Sequence, residues 1–287
     1  MNPIIEAFFN EPTNTVSYLV ADPQSGVAAV IDPVLDYDPA NGTVDTSSAE
    51  AVLAFASTRG WTIDLVLETH AHADHLSAAP FFKGKTGARI GIGEHIRNVQ
   101  KIFRPMFEAD DIKRDGGDFD LLFKDGERIA LGGLTIEVMA TPGHTAADVS
   151  YRIGDALFVG DSLFMPDYGT ARTDFPGGDA HLLYRSIQRI LSLPDETRLF
   201  MCHDYKAPGR DQFRWETTVA AERAGNVHLA GKTEAEFVAM REARDATLPT
   251  PKLLLPAIQV NIRAGRFPPA EANGVSYLRI PVTVRGD

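Results

Sequence analysis

Thr69-His70-Ala71-His72-Ala73-Asp74-His75 follows directly on the apolar run Ile63-Asp64-Leu65-Val66-Leu67. Such a run reads as a buried strand, so this cluster sits where a strand leaves its sheet and the side chains can converge. Neutral imidazole and carboxylate are the ligands that borderline divalent metals prefer. Four unpaired polar groups at that depth would be costly to bury without a partner. The density and order of the motif also separate it from a solvated, His-rich loop. The heptapeptide is read as a metal site.

Three more candidate ligands close predicted strands. His144 follows Ala140-Thr141-Pro142-Gly143, Asp161 follows Leu157-Phe158-Val159-Gly160, and His203 follows Leu199-Phe200-Met201-Cys202. Each taken alone is an ordinary loop residue. Together with the heptapeptide they make coincidence a poor explanation.

Around these positions the chain alternates short strands with helices. Val16–Val20 and Val27–Ile31 read as strands joined by the turn Asp22-Pro23-Gln24-Ser25-Gly26, and Asp32-Pro33 ends the second. Ser47 or Ser48 is expected to cap a helix running to Arg59, stopped by Gly60. Asp74 onward is expected to open another helix. Arg89–Gly93 reads as a strand, and Glu127–Leu131 with Leu134–Ala140 as a hairpin turned at Gly132-Gly133. Val149–Ile153, Ala156–Val159 and Thr197–Cys202 follow as strands. His181–Leu193, Asp211–Ala224 and Glu234–Ala246 have helical spacing. Hairpins with interleaved helices suit a layered α/β protein better than a doubly wound parallel sheet.

The composition agrees with a globular chain: 287 residues, 44% hydrophobic and 23% charged. A net charge of −11 argues against a nucleic-acid partner, because neutralising phosphates needs a basic face. The one cysteine, Cys202, allows no internal disulfide, and strand alternation would point it away from the metal into the core. Met1-Asn2-Pro3-Ile4-Ile5-Glu6 has no basic segment leading an apolar core, and no apolar stretch reaches the roughly 18–20 residues of a membrane span. A cytoplasmic location with no membrane partner is therefore expected.

His-x-His-x-Asp-His, then Gly-His, then Gly-Asp, then a strand ending in His resembles the ordered signature of the metallo-β-lactamase superfamily, over roughly residues 14–225. The resemblance implies an αββα sandwich with the metal site at one edge, between two mixed β-sheets. It implies a catalytic domain over 1–225; the segment 226–287, rich in proline, reads as an extension packed on that domain and not as a separate folding unit. Arg172-Thr173-Asp174-Phe175 and His203-Asp204-Tyr205 look like motifs of persulfide dioxygenases, a branch related to glyoxalase II, where His-Glu-Tyr is more typical. Gly160 to Arg172 further resembles the bacterial β-lactamase-hydrolase-like subgroup. The stretch from Asp161 to Arg172 is longer than in compact members of the branch, and the C-terminal extension is additional.

Carried onto this chain, the resemblance implies one Fe(II) held by His70, His144 and Asp161, a facial triad that leaves positions open. His72, Asp74, His75 and His203 would then orient ligands and bound water. Glutathione persulfide and O2 are the implied partners, contacted by Arg172 and Tyr205, with sulfite and glutathione released. A homodimer is implied as well, and a separate sulfurtransferase is a candidate source of the persulfide. The rival arrangement holds two Zn. His70, His72 and His144 would take one, Asp74, His75 and His203 the other, and Asp161 would bridge them. That enzyme would be a hydrolase of the glyoxalase II kind, cleaving S-lactoylglutathione. For Arg172 the bland alternative is an ion pair with Asp174; for Tyr205 it is a hydrogen bond to the backbone. Lys206 and Arg210 are expected on a solvated surface. His95, His181 and His228 are expected to be structural, and Phe103–Phe107 to pack in the core.

Overall fold

The computed structural model describes residues 1–284. One six-stranded sheet has the order β1 (Ile4–Asn10), β2 (Thr15–Ala21), β3 (Val27–Ile31), β6 (Thr62–Leu67), β8 (Arg89–Gly93), β9 (Leu121–Phe123). Its second half, from β3 to β9, is parallel. The other six-stranded sheet runs β10 (Arg128–Leu131), β11 (Leu134–Ala140), β12 (Val149–Ile153), β13 (Ala156–Phe158), β14 (Arg198–Phe200), β15 (Glu216–Thr218). Only β13 and β14 pair in parallel there. A small three-stranded sheet joins β5 (Thr43–Asp45), β4 (Val34–Asp38) and β7 (Leu76–Ser77).

The central strands β2 and β3 are almost wholly buried because both of their faces are covered. Along β2, Val16, Tyr18 and Val20 face the other sheet, meeting Ile136, Tyr151 and Phe158. The alternate residues Leu19 and Ala21 face the helix layer of α1 (Ser47–Arg59), α2 (Ala79–Thr86), α3 (Ile96–Phe107) and α7 (Leu254–Asn261). The outer face of the second sheet is covered by α4 (Ala180–Leu191), α5 (Val219–Gly225) and α6 (Glu234–Asp245). Each large apolar side chain fully buried in these layers contributes about 1.5–3 kcal/mol. The result is a helix–sheet–sheet–helix sandwich, the layered α/β architecture expected. Among the described residues no helix is long and apolar enough to cross a membrane.

Several local expectations are corrected. No helix opens at Asp74. Leu76-Ser77 instead pairs with β4, and the helix starts at Ala79. Thr46, not Ser47 or Ser48, occupies the cap position of α1, with no side-chain cap bond, while Gly60 ends the helix in the left-handed region at φ +68°. Asp211–Ala224 is helical only from Val219. Glu216–Thr218 is drawn into the sheet against β14, and Thr218 then caps α5 through a bond from Ala221 N. Tertiary pairing overrides helical spacing at both places.

Residues beyond 225 wrap the site. Helix α6 packs on α4, and α7 packs on β7 and α3. The loop leading from β13 is tied down by this region: Asn226 Nδ2 donates to Gly169 O, and Thr170 N donates to His228 Nδ1. Asn226 Nδ2 also donates to the buried Glu222, whose other carboxyl oxygen has no partner among the described residues. Burial pushes the Glu222 carboxyl up to about 8.

This group binds a proton in the folded chain that it releases in the unfolded one, so its contribution to stability is lost as pH rises from the ordinary carboxylate range toward 8. Glu222→Gln is expected to be no less stable than the parent near pH 5 and progressively more stable than it toward pH 8, read by chemical denaturation across that range.

Candidate metal centre

Every side chain of the cluster leaves the C-terminal end of a strand or the turn after it, at one edge of the sandwich. Asp32 follows β3, His70 follows β6, His144 follows β11, Asp161 follows β13 and His203 follows β14. The edge is closed by Thr15 at the start of β2, which bridges to His203, and by Val16 N donating to Cys202 O at 2.7 Å. Two glycines make the approach possible. Gly143 (φ +147°) has no room for a Cβ against the Leu183 backbone, and a Cβ at Gly160 (φ +53°) would meet Thr69.

His70, His144 and Asp161 offer donor atoms all within 4.8 Å of one another. Asp161 Oδ2 lies 3.6 Å from His144 Nε2 and 4.0 Å from His70 Nε2. His72 and Asp74 with His75 form an adjoining group. Asp74 Oδ2 stands 3.3 Å from His203 Nε2 and 3.5 Å from His75 Nδ1. His203 Nε2 is 3.3 Å from Asp161 Oδ1, which links the two groups. All seven side chains predicted from the sequence therefore meet in one place.

The hydrogen bonds select the ring nitrogen that is left free. Thr69 Oγ1 donates to Asp32 Oδ2 at 2.8 Å and therefore accepts from His70 Nδ1 at 3.0 Å. His144 Nδ1 donates to Arg172 O at 2.8 Å, and His203 Nδ1 to Asn14 O at 3.2 Å. His72 turns Nε2 to Asp32 Oδ1 at 3.0 Å and lies 3.5 Å from Glu68 Oε2. What remains is a set of buried atoms with no hydrogen-bond partner among the described residues: His70 Nε2, His72 Nδ1, His75 Nε2, His203 Nε2 and Asp161 Oδ1. Buried polar atoms are rarely left so, and five at one point fit the lone pairs of metal ligands. Burial first, then the neighbouring imidazoles, hold His70 well below the ordinary histidine range, and burial followed by His72 lowers His75. The neutral ring is the form that ligates.

The site forms the floor of a cavity of about 660 Å³, a size that takes a small organic ligand. Phe164, Tyr168 and Tyr205 make one wall; the Tyr205 ring stacks on His203 with centroids 5.6 Å apart. Arg172 lines the same cavity, but Nε and Nη2 donate to Asp174 at 2.6 and 2.7 Å and Nη1 to Pro249 O at 2.7 Å. Its guanidinium lies over Phe175, whose edge meets His144. Arg210 is not a free surface cation: it forks onto Asp204 and Asp167, bracing the His203–Tyr205 segment against the loop after β13. Cys202 is buried as expected, yet it faces the cluster, with Sγ 3.7 Å from Asp32 Oδ2. Strand β14 ends at Phe200, so alternation no longer governs its direction. Burial and then Asp32 raise its thiol well above the ordinary value, which keeps it from acting as a nucleophile. His95 and His181 lie on the surface, His181 paired to Glu234, while Phe103 and Phe107 are core residues.

Three positioning residues escape a sequence reading. Asp32 and Glu68 carry no motif signal beyond ending a strand. Asn261, in α7, donates to His72 O and His75 O, both at 2.8 Å, and accepts from Ser77 N at 2.9 Å. It clamps the backbone of the heptapeptide from 186 to 189 residues away.

Residues 10–203 match the family model described as the metallo-beta-lactamase superfamily. A beta-lactamase hydrolase-like protein of Agrobacterium fabrum is 51% identical over 98% of this chain, and the chain spans 65% of that relative's length. A probable metallo-hydrolase of Burkholderia pseudomallei is 52% identical over 97% of this chain and 98% of its own. A hydroxyacylglutathione hydrolase of Brucella anthropi is 30% identical over 86% of this chain and 80% of its own. Among solved structures, ETHE1 from Myxococcus xanthus superposes with a TM-score of 0.74 at 31% identity, covering 92% of this chain and all of its own.

Replacing Asn261 with Leu strands two buried carbonyls at about 1–3 kcal/mol each and frees the ligand loop. The expected outcome for Asn261→Leu, and for Asp32→Asn, is metal affinity weakened roughly 10–100-fold. Elemental analysis after dialysis against a graded chelator reads this directly, and unchanged retention in both variants would contradict it.

Proposed function

The chain belongs to the metallo-β-lactamase superfamily, and on that premise we propose that it is a non-haem iron persulfide dioxygenase. Glutathione persulfide, dioxygen and water would give sulfite and glutathione. The observation that carries this reading is the meeting of His70, His144 and Asp161 as three buried donors at the floor of a ligand-sized cavity. Arg172-Thr173-Asp174-Phe175 and His203-Asp204-Tyr205 support it, as does the likeness to ETHE1.

A ferrous ion bound by those three residues would supply open positions for sulfur and dioxygen and would pass to dioxygen the electrons that the sulfur loses on oxidation. The rest of the work falls to the chain. Phe164, Tyr168 and Tyr205 present aromatic faces that suit a soft, polarisable sulfur and keep water off it. Asp74 Oδ2, on the cavity floor beside His203, is the acceptor placed to hold the water consumed. Tyr205 borders the substrate from the wall. Arg172, its three nitrogens engaged, fixes the turn whose carbonyl orients His144.

A second reading keeps its own observation. His72 Nδ1, His75 Nε2 and His203 Nε2 are also buried and unpartnered among the described residues. Such a set could hold a second ion, with Asp161 between the two. That arrangement belongs to a dizinc hydrolase of S-lactoylglutathione, and the hydroxyacylglutathione hydrolase relative supports it.

Oxygen uptake separates the two. Anaerobically prepared, iron-loaded protein is expected to consume oxygen with glutathione persulfide and release sulfite, and Asp161→Asn to lose at least about 100-fold of that rate. Cleavage of S-lactoylglutathione by two-zinc protein, with no oxygen uptake in the iron form, would overturn the dioxygenase reading.

A further inference from the structure

A second, smaller space opens beside the metal floor. Val99 and Phe103 stand four residues apart on α3, and Leu254 and Ile258 four apart on α7, so one face of each helix looks into it. Its inner end is Ala71, which lies between His70 and His72 of the cluster. Ala73, His144 and Phe175 line both this space and the large cavity, and so form the partition between them. The outer end reaches the exposed Pro176 and the half-buried Leu254, whereas Val99, Phe103 and Ile258 are buried. At about 10 Å³ the space admits a single molecule of roughly water's width.

Water is a poor occupant. A buried water typically makes about three hydrogen bonds, and the polar side chains around this space are committed elsewhere. Thr145 Oγ1 donates to Asp148 and accepts from Ala147 N, while Thr145 N donates to Asp148 Oδ2 at 2.7 Å. His144 spends Nδ1 on Arg172 O and turns Nε2 toward Asp161. Every other lining side chain is apolar. A void of this kind stays dry and takes up small apolar molecules.

We propose that this space is a dioxygen site, an apolar pocket between α3 and α7 through which the gas reaches the metal floor past Ala73 and His144. The proposal rests on the dioxygenase reading above and deepens it. In that reaction sulfur and dioxygen must stand at the floor together, and a substrate seated in the large cavity would cover the floor from the mouth. The second space meets the same floor from the side of α3 and α7. Dioxygen is small, uncharged and apolar, so it gains by leaving water for such a lining. A charged persulfide is excluded by size and by the cost of losing its water. A mere packing gap between two helices would share this lining. That role predicts a change in stability when the gap is filled, but no change in the oxygen requirement.

The test joins diffraction from krypton-pressurised crystals of metal-loaded protein to oxygen-uptake kinetics with glutathione persulfide. The parent is compared with two filled variants, Val99→Leu and Ile258→Phe, and with Val99→Ala, which disturbs the same packing but leaves the space open. Thermal melting checks that each is folded. Krypton is expected to give an anomalous peak between Val99 and Ile258 in the parent and in Val99→Ala, and none in the filled variants. KM for oxygen is expected to rise about tenfold in the filled variants, the effect of roughly one methylene in an apolar pocket. In these variants kcat and KM for the persulfide should stay nearly unchanged, and in Val99→Ala KM for oxygen should not rise. No krypton at this place in the parent would overturn the inference. An unaltered KM for oxygen in a filled variant that has lost its krypton peak would also overturn it, and would leave the dioxygenase intact. Absent uptake by the parent, with krypton still bound there, would sink the dioxygenase reading alone.

Discussion

One buried carboxylate, Asp32, ties the metal cluster to the fold. It accepts from Thr69 N and Thr69 Oγ1, from His72 Nε2, and from the Cys202 thiol. Burial pulls its pKa upward, but His72 and the Thr69 donors prevail and hold it below the ordinary value. Through Thr69 it sets which nitrogen of His70 is free, and directly it sets the same for His72. The parallel pairing of β3 with β6 brings Asp32 beside Thr69 across 37 residues, so the sheet register reaches the imidazole tautomers in two steps. Asp32 itself lies at φ +48°, a conformation that non-glycine residues adopt uncommonly.

A second constraint comes from the other end of the chain. Asn261 satisfies the backbone of the ligand loop, and Asp245 accepts from Thr173 N beside Arg172. Residues beyond 225 thus brace both the metal loop and the cavity wall. They also line the cavity with Arg244 and Lys252. The cavity changes chemistry from its floor upward: imidazoles and carboxylates at the floor, and the aromatic faces of Phe164, Tyr168 and Tyr205 along its wall.

Much of this was legible from local patterns. The seven residues of the cluster announced themselves because metal ligands are chemically distinctive and sit at strand ends, where apolar runs stop. Asp32 did not, since Asp-Pro after a strand reads as an ordinary turn; only the pairing of β3 with β6 shows what its carboxylate meets. Asn261 was equally silent in a proline-rich tail. A helix was expected at Asp74 because the clamp from Asn261 and the pairing of Ser77 with Val34 are long-range effects with no local trace. Asp211–Thr218 reads as helix for the same reason. The partner of Arg172, in contrast, stood two residues away and was visible beforehand.

The central claim is that His70, His144 and Asp161 hold a lone iron. Diffraction data collected on both sides of the iron and zinc absorption edges, from crystals of active protein, test it directly. A single iron peak bonded to these three side chains, with His72, Asp74, His75 and His203 outside bonding distance, is the predicted result. Two zinc peaks, with Asp161 between them and His72, His75 and His203 bonded, would contradict it.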